Sequence, residues 1–266
     1  MTYCVGVLVE AGLAMIADTR TNAGIDNISM YKKLHVLADG PDRFIVCASA
    51  GSLSVTQAML ARLQEGAVHA LTGERRTAAN QPTMFRVASL VGELLAEATE
   101  TVSQALPSSA SLLLGGRIGS EPPCLYLVYQ EGNFIECAPD SPFLQIGELK
   151  YGKPILDRAL KWTSPLPEAI KIALLSFDAT MRSNLSVGRP LDLLVMPTDM
   201  NKPIIRRRIE EDDAYYNGLS RDWSELLRHA AADIPDPPFM EDGAPPEIAP
   251  EPKPVADNTV PLPELA

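Results

Sequence analysis

The order in which predicted strands and helices follow one another is the strongest constraint on the fold of this chain. Hydrophobic periodicity predicts four strands, two helices, three strands, two helices, two strands and a last helix. Strands that cluster before helices cluster argue against a parallel βαβ sheet. They favour an α+β fold, a four-layer αββα sandwich of two antiparallel sheets flanked by helix pairs, because that arrangement uses every predicted element.

The boundaries of these elements follow from apolar spacing and from turn residues such as Gly and Pro. Strands are predicted at residues 3–10, 13–17, 33–37, 43–49, 111–114, 124–129, 133–137, 191–196 and 204–208. Helices are predicted at residues 54–71, 85–105, 153–162, 167–181 and 222–232. The polar stretches at residues 18–29 and 72–81 are predicted to be loops.

The end of the chain differs in composition from the rest. Residues 233–266 hold ten of the 23 prolines, eight acids and one lysine, and thus −7 of the total charge of −11. Such a segment cannot bury enough apolar surface to offset the entropy of ordering it. We therefore predict one folded domain at residues 1–232 and an acidic, Pro-rich disordered tail at 233–266.

Charge and cysteine usage disfavour several functions. Residues 1–232 carry a net charge of only −4 and no basic stripe, so nucleic acid is not an expected partner. The four cysteines match no CxxC or zinc-binding spacing. Residues 1–16 are apolar but lack a basic n-region and are too short to span a membrane. These features lead us to expect a cytoplasmic protein without a targeting segment or a membrane partner.

Histidine is scarce, which weighs against an ordinary Ser–His hydrolase. The chain has three histidines, His35, His69 and His229, and neither a GxSxG elbow nor an HExxH helix.

The first residues offer a nucleophile that needs no histidine. Met1 is followed by Thr2, whose small side chain permits removal of Met1, and a strand begins at once. A free α-amine, with a pKa of about 8, can activate the hydroxyl of its own threonine. Many proteins begin with Met-Thr, so this signal is weak by itself.

Three further segments strengthen it. The run Ala17–Gly24 follows a hairpin, Lys33 precedes an apolar residue, and Ser49–Ser52 ends a strand and leads into a helix. This order resembles that of proteasome β-subunits. The runs at residues 1–5, 18–28 and 151–158 resemble the bacterial branch called Anbu (ancestral β-subunit). The resemblance covers about residues 1–232 and implies the N-terminal nucleophile hydrolase fold.

The resemblance also implies a catalytic set. Thr2 matches the nucleophile and Lys33 the lysine whose charge activates it, whereas the neighbouring Lys32 would face away. Asp18 matches the carboxylate that pairs with this lysine. Gly51 matches the glycine whose backbone N–H stabilises the oxyanion.

Two positions that support the site in the family differ here. Ser186 matches a family serine and is carried over as a catalytic residue, but Ser183 stands where the family has aspartate. Glu148 lies near the position of a second family serine. A pairing of Glu148 with a substrate amine or with a lysine is a further hypothesis.

The first specificity pocket is assigned by the same carry-over. Its expected residues are Thr21, Tyr31, Ser49 and Leu53.

The function implied by the resemblance is a threonine-type peptidase or amidohydrolase that acts after Met1 removal. Its expected partners are copies of itself, in a large ring or helical turn, and a peptide or unfolded protein substrate; an unidentified unfoldase or activator is left open. No metal or organic cofactor is implied. The changes at Glu148 and Ser183 favour one alternative, a non-proteolytic assembly or peptide-binding protein. A small-amide hydrolase is another, which an enclosed small pocket would favour.

Overall fold

In the computed structural model, residues 1–22, 28–69, 71–104 and 108–240 are described. Their strands are β1 (Tyr3–Val9), β2 (Gly12–Asp18), β3 (Arg20–Asn22), β4 (Ile28–Met30), β5 (Leu34–Gly40), β6 (Arg43–Gly51), β7 (Ala67–Val68), β8 (Arg75–Arg76), β9 (Ala110–Ile118), β10 (Cys124–Val128), β11 (Phe134–Glu136), β12 (Phe143–Gly147), β13 (Leu191–Pro197) and β14 (Ile205–Ile209). Their helices are α1 (Leu53–Glu65), α2 (Met84–Ser103), α3 (Lys153–Ala159), α4 (Leu166–Ser183) and α5 (Ala214–Asp233).

Two five-stranded antiparallel sheets form the centre of residues 1–223. The first has the strand order β12-β1-β2-β13-β14, and the second β11-β10-β9-β6-β5. Strands β1 and β2 form a hairpin in which Val9 pairs with Gly12. Both strands are buried along their whole length, which explains why they are almost continuously apolar.

Three apolar clusters hold the layers together. Leu13 and Met15 of the first sheet pack with Val46 and Leu113 of the second between the sheets. Helices α1 and α2 cover the outer face of the second sheet. Helix α4 covers the outer face of the first, where Phe177 lies against β1. The four-layer sandwich expected from the element order is thus confirmed.

Helix α2 shows how the sequence produces one of these outer layers. Thr83 caps its first turn by accepting a hydrogen bond from the Arg86 N–H at 3.2 Å. Leu90, Leu94 and Leu95 recur at helical spacing and are buried against the sheet. Burying one such side chain contributes about 1.5–3 kcal/mol.

Several predicted boundaries differ from the structure. Strand β12 was not predicted, although it pairs with β1 from Tyr3 to Val7. Strand β9 continues past Gly115, where an end was predicted. The glycine reflects close packing and not a turn, because an added Cβ there would lie 2.7 Å from Met15 Sδ of the opposite sheet. Part of the predicted loop at 18–29 forms β3 and β4, and part of the loop at 72–81 forms β8. Helix α5 begins at Ala214, not at residue 222.

Some predictions lie outside the described residues. These are the part of the family-like run at residues 23–27, the predicted helix end at 105, and the tail beyond 240. Residues 224–240 belong to a second compact unit, which contains the end of α5 and a short 3-10 helix at Pro238–Met240. Among the described residues, no helix has the length and hydropathy needed to cross a bilayer.

Candidate active site

A cavity of about 490 Å³ opens where the start of β1, the ends of β6 and β12 and the start of α1 meet. Its lining residues are Met1, Thr2, Thr21, Lys33, Ser49, Ala50, Gly51, Leu53, Thr56 and Gly147. The fold therefore brings together Thr2, Lys33 and Gly51, which lie far apart in the sequence.

A buried ion pair forms the floor of the site. Lys33 Nζ donates to Asp18 Oδ1 at 2.7 Å and to the Arg20 carbonyl at 2.6 Å. The side chains of Lys33 and Asp18 are 2% and 0% exposed. Burial raises the pKa of the Asp18 carboxyl, and the Lys33 ammonium and the Tyr3 N–H act in the opposite direction. These bonds thus fix the Lys33 ammonium at the cavity that Thr2 also lines.

Lys32 and Lys33, which directly precede β5, differ in burial. Lys33 is buried in the site, whereas Lys32 is exposed and lines a separate groove with residues of β14.

The position of Thr2 is set by its neighbours on β1 and β12. The Tyr3 hydroxyl lies 3.0 Å from Ser176 Oγ and accepts a hydrogen bond from Gln145 Nε2 at 2.5 Å. The Glu148 N–H donates to the Thr2 carbonyl at 2.7 Å. Gly147 adopts a φ of +85°, and an added Cβ there would overlap the Thr2 carbonyl. The nucleophile candidate is therefore held on a rigid strand end.

Gly51 ends β6 at the turn into α1. Its φ is +102°, and an added Cβ would overlap the Ser109 carbonyl oxygen. Only glycine fits this backbone without strain. The Ser52 N–H donates to that same carbonyl at 2.8 Å, which fixes the turn.

A buried carboxylate follows Gly147 in the chain, near the position of a family serine. Glu148 is buried, and its Oε2 accepts a hydrogen bond from Asn184 Nδ2 at 2.9 Å. Lys150 lies 3.5 Å from the other carboxylate oxygen. Asn184 Oδ1 in turn accepts the Ser186 N–H at 3.0 Å. Asn184 was missed in the sequence because nothing local marks it; it contacts Glu148 only through the tertiary fold.

Ser186 and Ser183, the two positions compared with the family at the end of α4 and in the loop after it, do not line the cavity around Thr2. Ser186 lies next to Asn184 in the loop after α4 and is not among the residues that line the cavity. Ser183 is the exposed last residue of α4.

Three of the four expected pocket residues, Thr21, Ser49 and Leu53, line the cavity. Tyr31 lies outside this lining; its N–H donates to the Thr19 carbonyl at 2.7 Å, and its ring lies 6.1 Å from that of His35. Within the described residues, no three His, Cys, Asp or Glu side chains are grouped so that they could hold a metal ion.

Comparison with known proteins agrees with this geometry. The sequence matches the proteasome subunit family over residues 2–196. The chain is similar to Anbu (ancestral beta-subunit) from Yersinia bercovieri, with 41% identity over 88% of this chain and 97% of that chain and a TM-score of 0.78. It is also similar to an Anbu (Gly-1) mutant from Hyphomicrobium sp. strain MC1, with 43% identity, coverage of 89% and 99%, and a TM-score of 0.80.

A third similar structure is a helical assembly of the Anbu complex from Pseudomonas aeruginosa. It shares 40% identity over 90% of this chain and 100% of that chain, with a TM-score of 0.81. No curated protein matches the chain. Since the family match covers most of the sequence and these relatives are matched over nearly their full length, the chain belongs to the proteasome subunit family, in its Anbu branch.

Proposed function

We propose that this chain is an N-terminal threonine amidohydrolase that cleaves peptide bonds once Met1 has been removed. The observation that carries the proposal is the shared cavity, in which Thr2 lies with Lys33 above the buried Asp18. Met1 is exposed and lines the same cavity, so its removal would free the α-amine inside the site.

The reaction would need only groups that line the cavity and water. Thr2 Oγ attacks the carbonyl carbon of the peptide while the Thr2 α-amine takes the hydroxyl proton. The Lys33 ammonium stabilises the negative charge that develops on Oγ, and the Gly51 N–H donates to the oxyanion.

Collapse of the tetrahedral intermediate breaks the C–N bond, and the α-ammonium returns its proton to the leaving amine. The acyl group then remains on Thr2 Oγ as an ester. Water, deprotonated by the same α-amine, attacks this ester and releases the acid, which restores the threonine.

We further propose that the chain works in a homo-oligomer. The Pseudomonas aeruginosa relative was solved as a helical assembly, and it is matched over its full length. Head-to-tail contacts give rings when the rotation closes and helices when it does not. Mass photometry of the purified chain is expected to show particles much larger than the 28.8 kDa monomer.

A peptide epoxyketone tests the chemistry, because its stable adduct needs both the threonine hydroxyl and a free α-amine. Intact mass spectrometry is expected to show one adduct on the wild type and none on Thr2→Ala. Thr101→Ala, on α2 and outside the cavity, serves as the matched control and is expected to react like the wild type.

Absence of an adduct on wild-type protein that has lost Met1 would contradict the peptidase proposal. It would favour the alternative of a non-proteolytic assembly or peptide-binding protein, which the buried Glu148 near a family serine position also favours.

A further inference from the structure

A second cavity of about 330 Å³ lies at the C-terminal end of α4, between the loop that follows it and the start of α5. It shares no lining residue with the cavity around Thr2. The charged and aromatic residues that line it are Arg20, Asp178, Arg182, Arg189, Glu211 and Tyr216. At about 30 Å³ per liquid water molecule, the space admits a small organic acid or the end of a peptide.

Three guanidinium groups converge on this space from three segments of the chain. Arg20 donates to the Leu185 carbonyl at 2.9 Å and lies against Gly188, where an added Cβ would overlap it. Arg182 donates to Ser220 Oγ at 3.0 Å, and Arg189 donates to Asn217 Oδ1 at 2.9 Å. Each guanidinium carries five N–H donors, so these bonds leave donors available.

Two carboxylates also line the cavity and oppose this positive charge. Asp178 is buried and accepts from Arg182 Nε at 3.0 Å, so its charge is paired within the protein. Glu211 is exposed and lies 3.7 Å from Arg20, too far for a good hydrogen bond. Three cations therefore face two anions, one of them loosely held.

A buried hydroxyl adds a donor without an acceptor. Tyr216 is 2% exposed, and its hydroxyl has no hydrogen-bond partner in the described part of the chain. Burial and the nearby Asp178 charge raise the pKa of this phenol, so the proton stays on the oxygen. Arg189 lies over the ring at 5.1 Å. A buried donor of this kind is costly unless a ligand or water accepts from it.

We propose that this cavity binds an oxyanion, a carboxylate or a phosphate group, between the three guanidiniums and the Tyr216 hydroxyl. Planar guanidinium groups match the geometry of both carboxylate and phosphate. The unused donors of the arginines and of Tyr216 favour a ligand that only accepts hydrogen bonds. The ligand would take the place of Glu211 opposite Arg20.

Arg20 connects this site to the cavity around Thr2. Its side chain lines the anion cavity, and its backbone carbonyl accepts a hydrogen bond from Lys33 Nζ. An anion that draws on Arg20 would therefore change how Lys33 is held, and so the rate at which Thr2 reacts. This effect on rate rests on the proposed function, whereas anion binding does not.

The test measures the melting temperature of the full-length chain at constant ionic strength while sodium phosphate, and separately sodium acetate, replaces sodium chloride. Apparent dissociation constants follow from the concentration dependence. Arg182→Gln is compared with Arg206→Gln, because these arginine side chains are similarly exposed, at 57% and 52%, and only Arg182 lines the anion cavity. Tyr216→Phe and Glu211→Gln complete the set.

Wild type and Arg206→Gln are expected to bind with the same affinity. Arg182→Gln should bind about tenfold more weakly, and Tyr216→Phe about three- to tenfold more weakly, as expected for the loss of one donor to a charged ligand. Glu211→Gln should bind more tightly, because it removes a like charge. A response to phosphate alone would point to a phosphate source, and a response to acetate as well would point to a carboxylate such as a chain terminus.

The same anion response in all variants, or none in the wild type, would overturn the proposal. If Arg182→Gln fails to fold, Tyr216→Phe still tests the proposal. This variant removes only an unpartnered oxygen, so its melting temperature in chloride should be no lower than that of the wild type. The epoxyketone rate, measured with and without phosphate, tests the connection to Lys33 separately: a rate unaffected at saturating phosphate would remove the connection but leave the site.

Discussion

Lys33 and Asp18 form the buried ion pair of the candidate site. Asp18 ends β2 and Lys33 directly precedes β5, and both are buried so completely that each depends on the other. Removing one partner of such a pair leaves an uncompensated charge, whereas removing both is often tolerated.

Lys33→Met is therefore expected to lower the free energy of unfolding by about 3–5 kcal/mol in urea titrations. The double variant with Asp18→Asn should regain much of that loss. Neither variant should react with the epoxyketone, since both lack the ammonium beside Thr2. A double variant that recovers both stability and reactivity would exclude Lys33 from the chemistry.

Glu148 is buried and donates its backbone N–H to the Thr2 carbonyl, so it brings a carboxylate close to Thr2, near a position where the family pattern has a neutral serine. This charge favours retention of the proton on the α-ammonium, which must lose it before Thr2 can react. Glu148→Gln keeps an acceptor for Asn184 and removes the charge. The pH profile of adduct formation should then move to lower pH by about 0.5–1 unit. An unchanged profile would mean that Glu148 supports the strand end only.

His35 links stability to pH. Burial, with a smaller contribution from Lys32, lowers the pKa of this histidine below its usual 6.5, and its Nε2 is buried without a hydrogen-bond partner in the described residues. Between the folded and unfolded pKa values the unfolded chain binds more protons, so stability is complete above pH 6.5 and falls as pH drops below it. His35→Gln should reduce the difference in urea midpoint between pH 7.5 and pH 5.5; an unchanged difference would contradict this.

At the scale of elements, the end of β12 decides where Thr2 lies. Gly147→Ala introduces both an unfavourable φ and an overlap with the Thr2 carbonyl, and should cost about 1–3 kcal/mol in unfolding free energy as well as slow adduct formation. Gly119→Ala is the matched control, because Gly119 has a φ of +62° but an added Cβ there would meet no atom within 4 Å. Equal losses in the two variants would mean that backbone strain alone matters.

At the scale of the whole molecule, the boundary between folded domain and tail stays a prediction from composition. Limited digestion of the native chain with a Glu-specific protease should cut first at Glu241 or Glu247, well before any site in residues 1–232. Intact mass of the early products provides the measurement. Cleavage within residues 1–232 before the tail is cut would contradict the proposed boundary. Resistance of the tail to the protease would mean that something covers it.

Some features could be predicted from the sequence because their causes are local. Apolar periodicity defined most strands and helices, and their order indicated the αββα layers. The candidate site was assigned differently, by the resemblance to proteasome β-subunits that Thr2, Asp18, Lys33, Gly51 and their sequence neighbours carry. Whether these residues act as assigned is still a prediction, for which the epoxyketone provides the first test.

Other features exist only because distant segments meet. Strand β12 was missed because Gln145 interrupts its apolar pattern, and that buried polar side chain finds its hydrogen-bond partner, the Tyr3 hydroxyl, on a strand that is distant in the sequence. Asn184 next to Glu148, and the three arginines around Tyr216, likewise come from segments far apart in the chain. Short-range patterns record the preferences of each segment, whereas the partner of a buried polar group is chosen by how sheets and helices pack, and only the tertiary structure decides that.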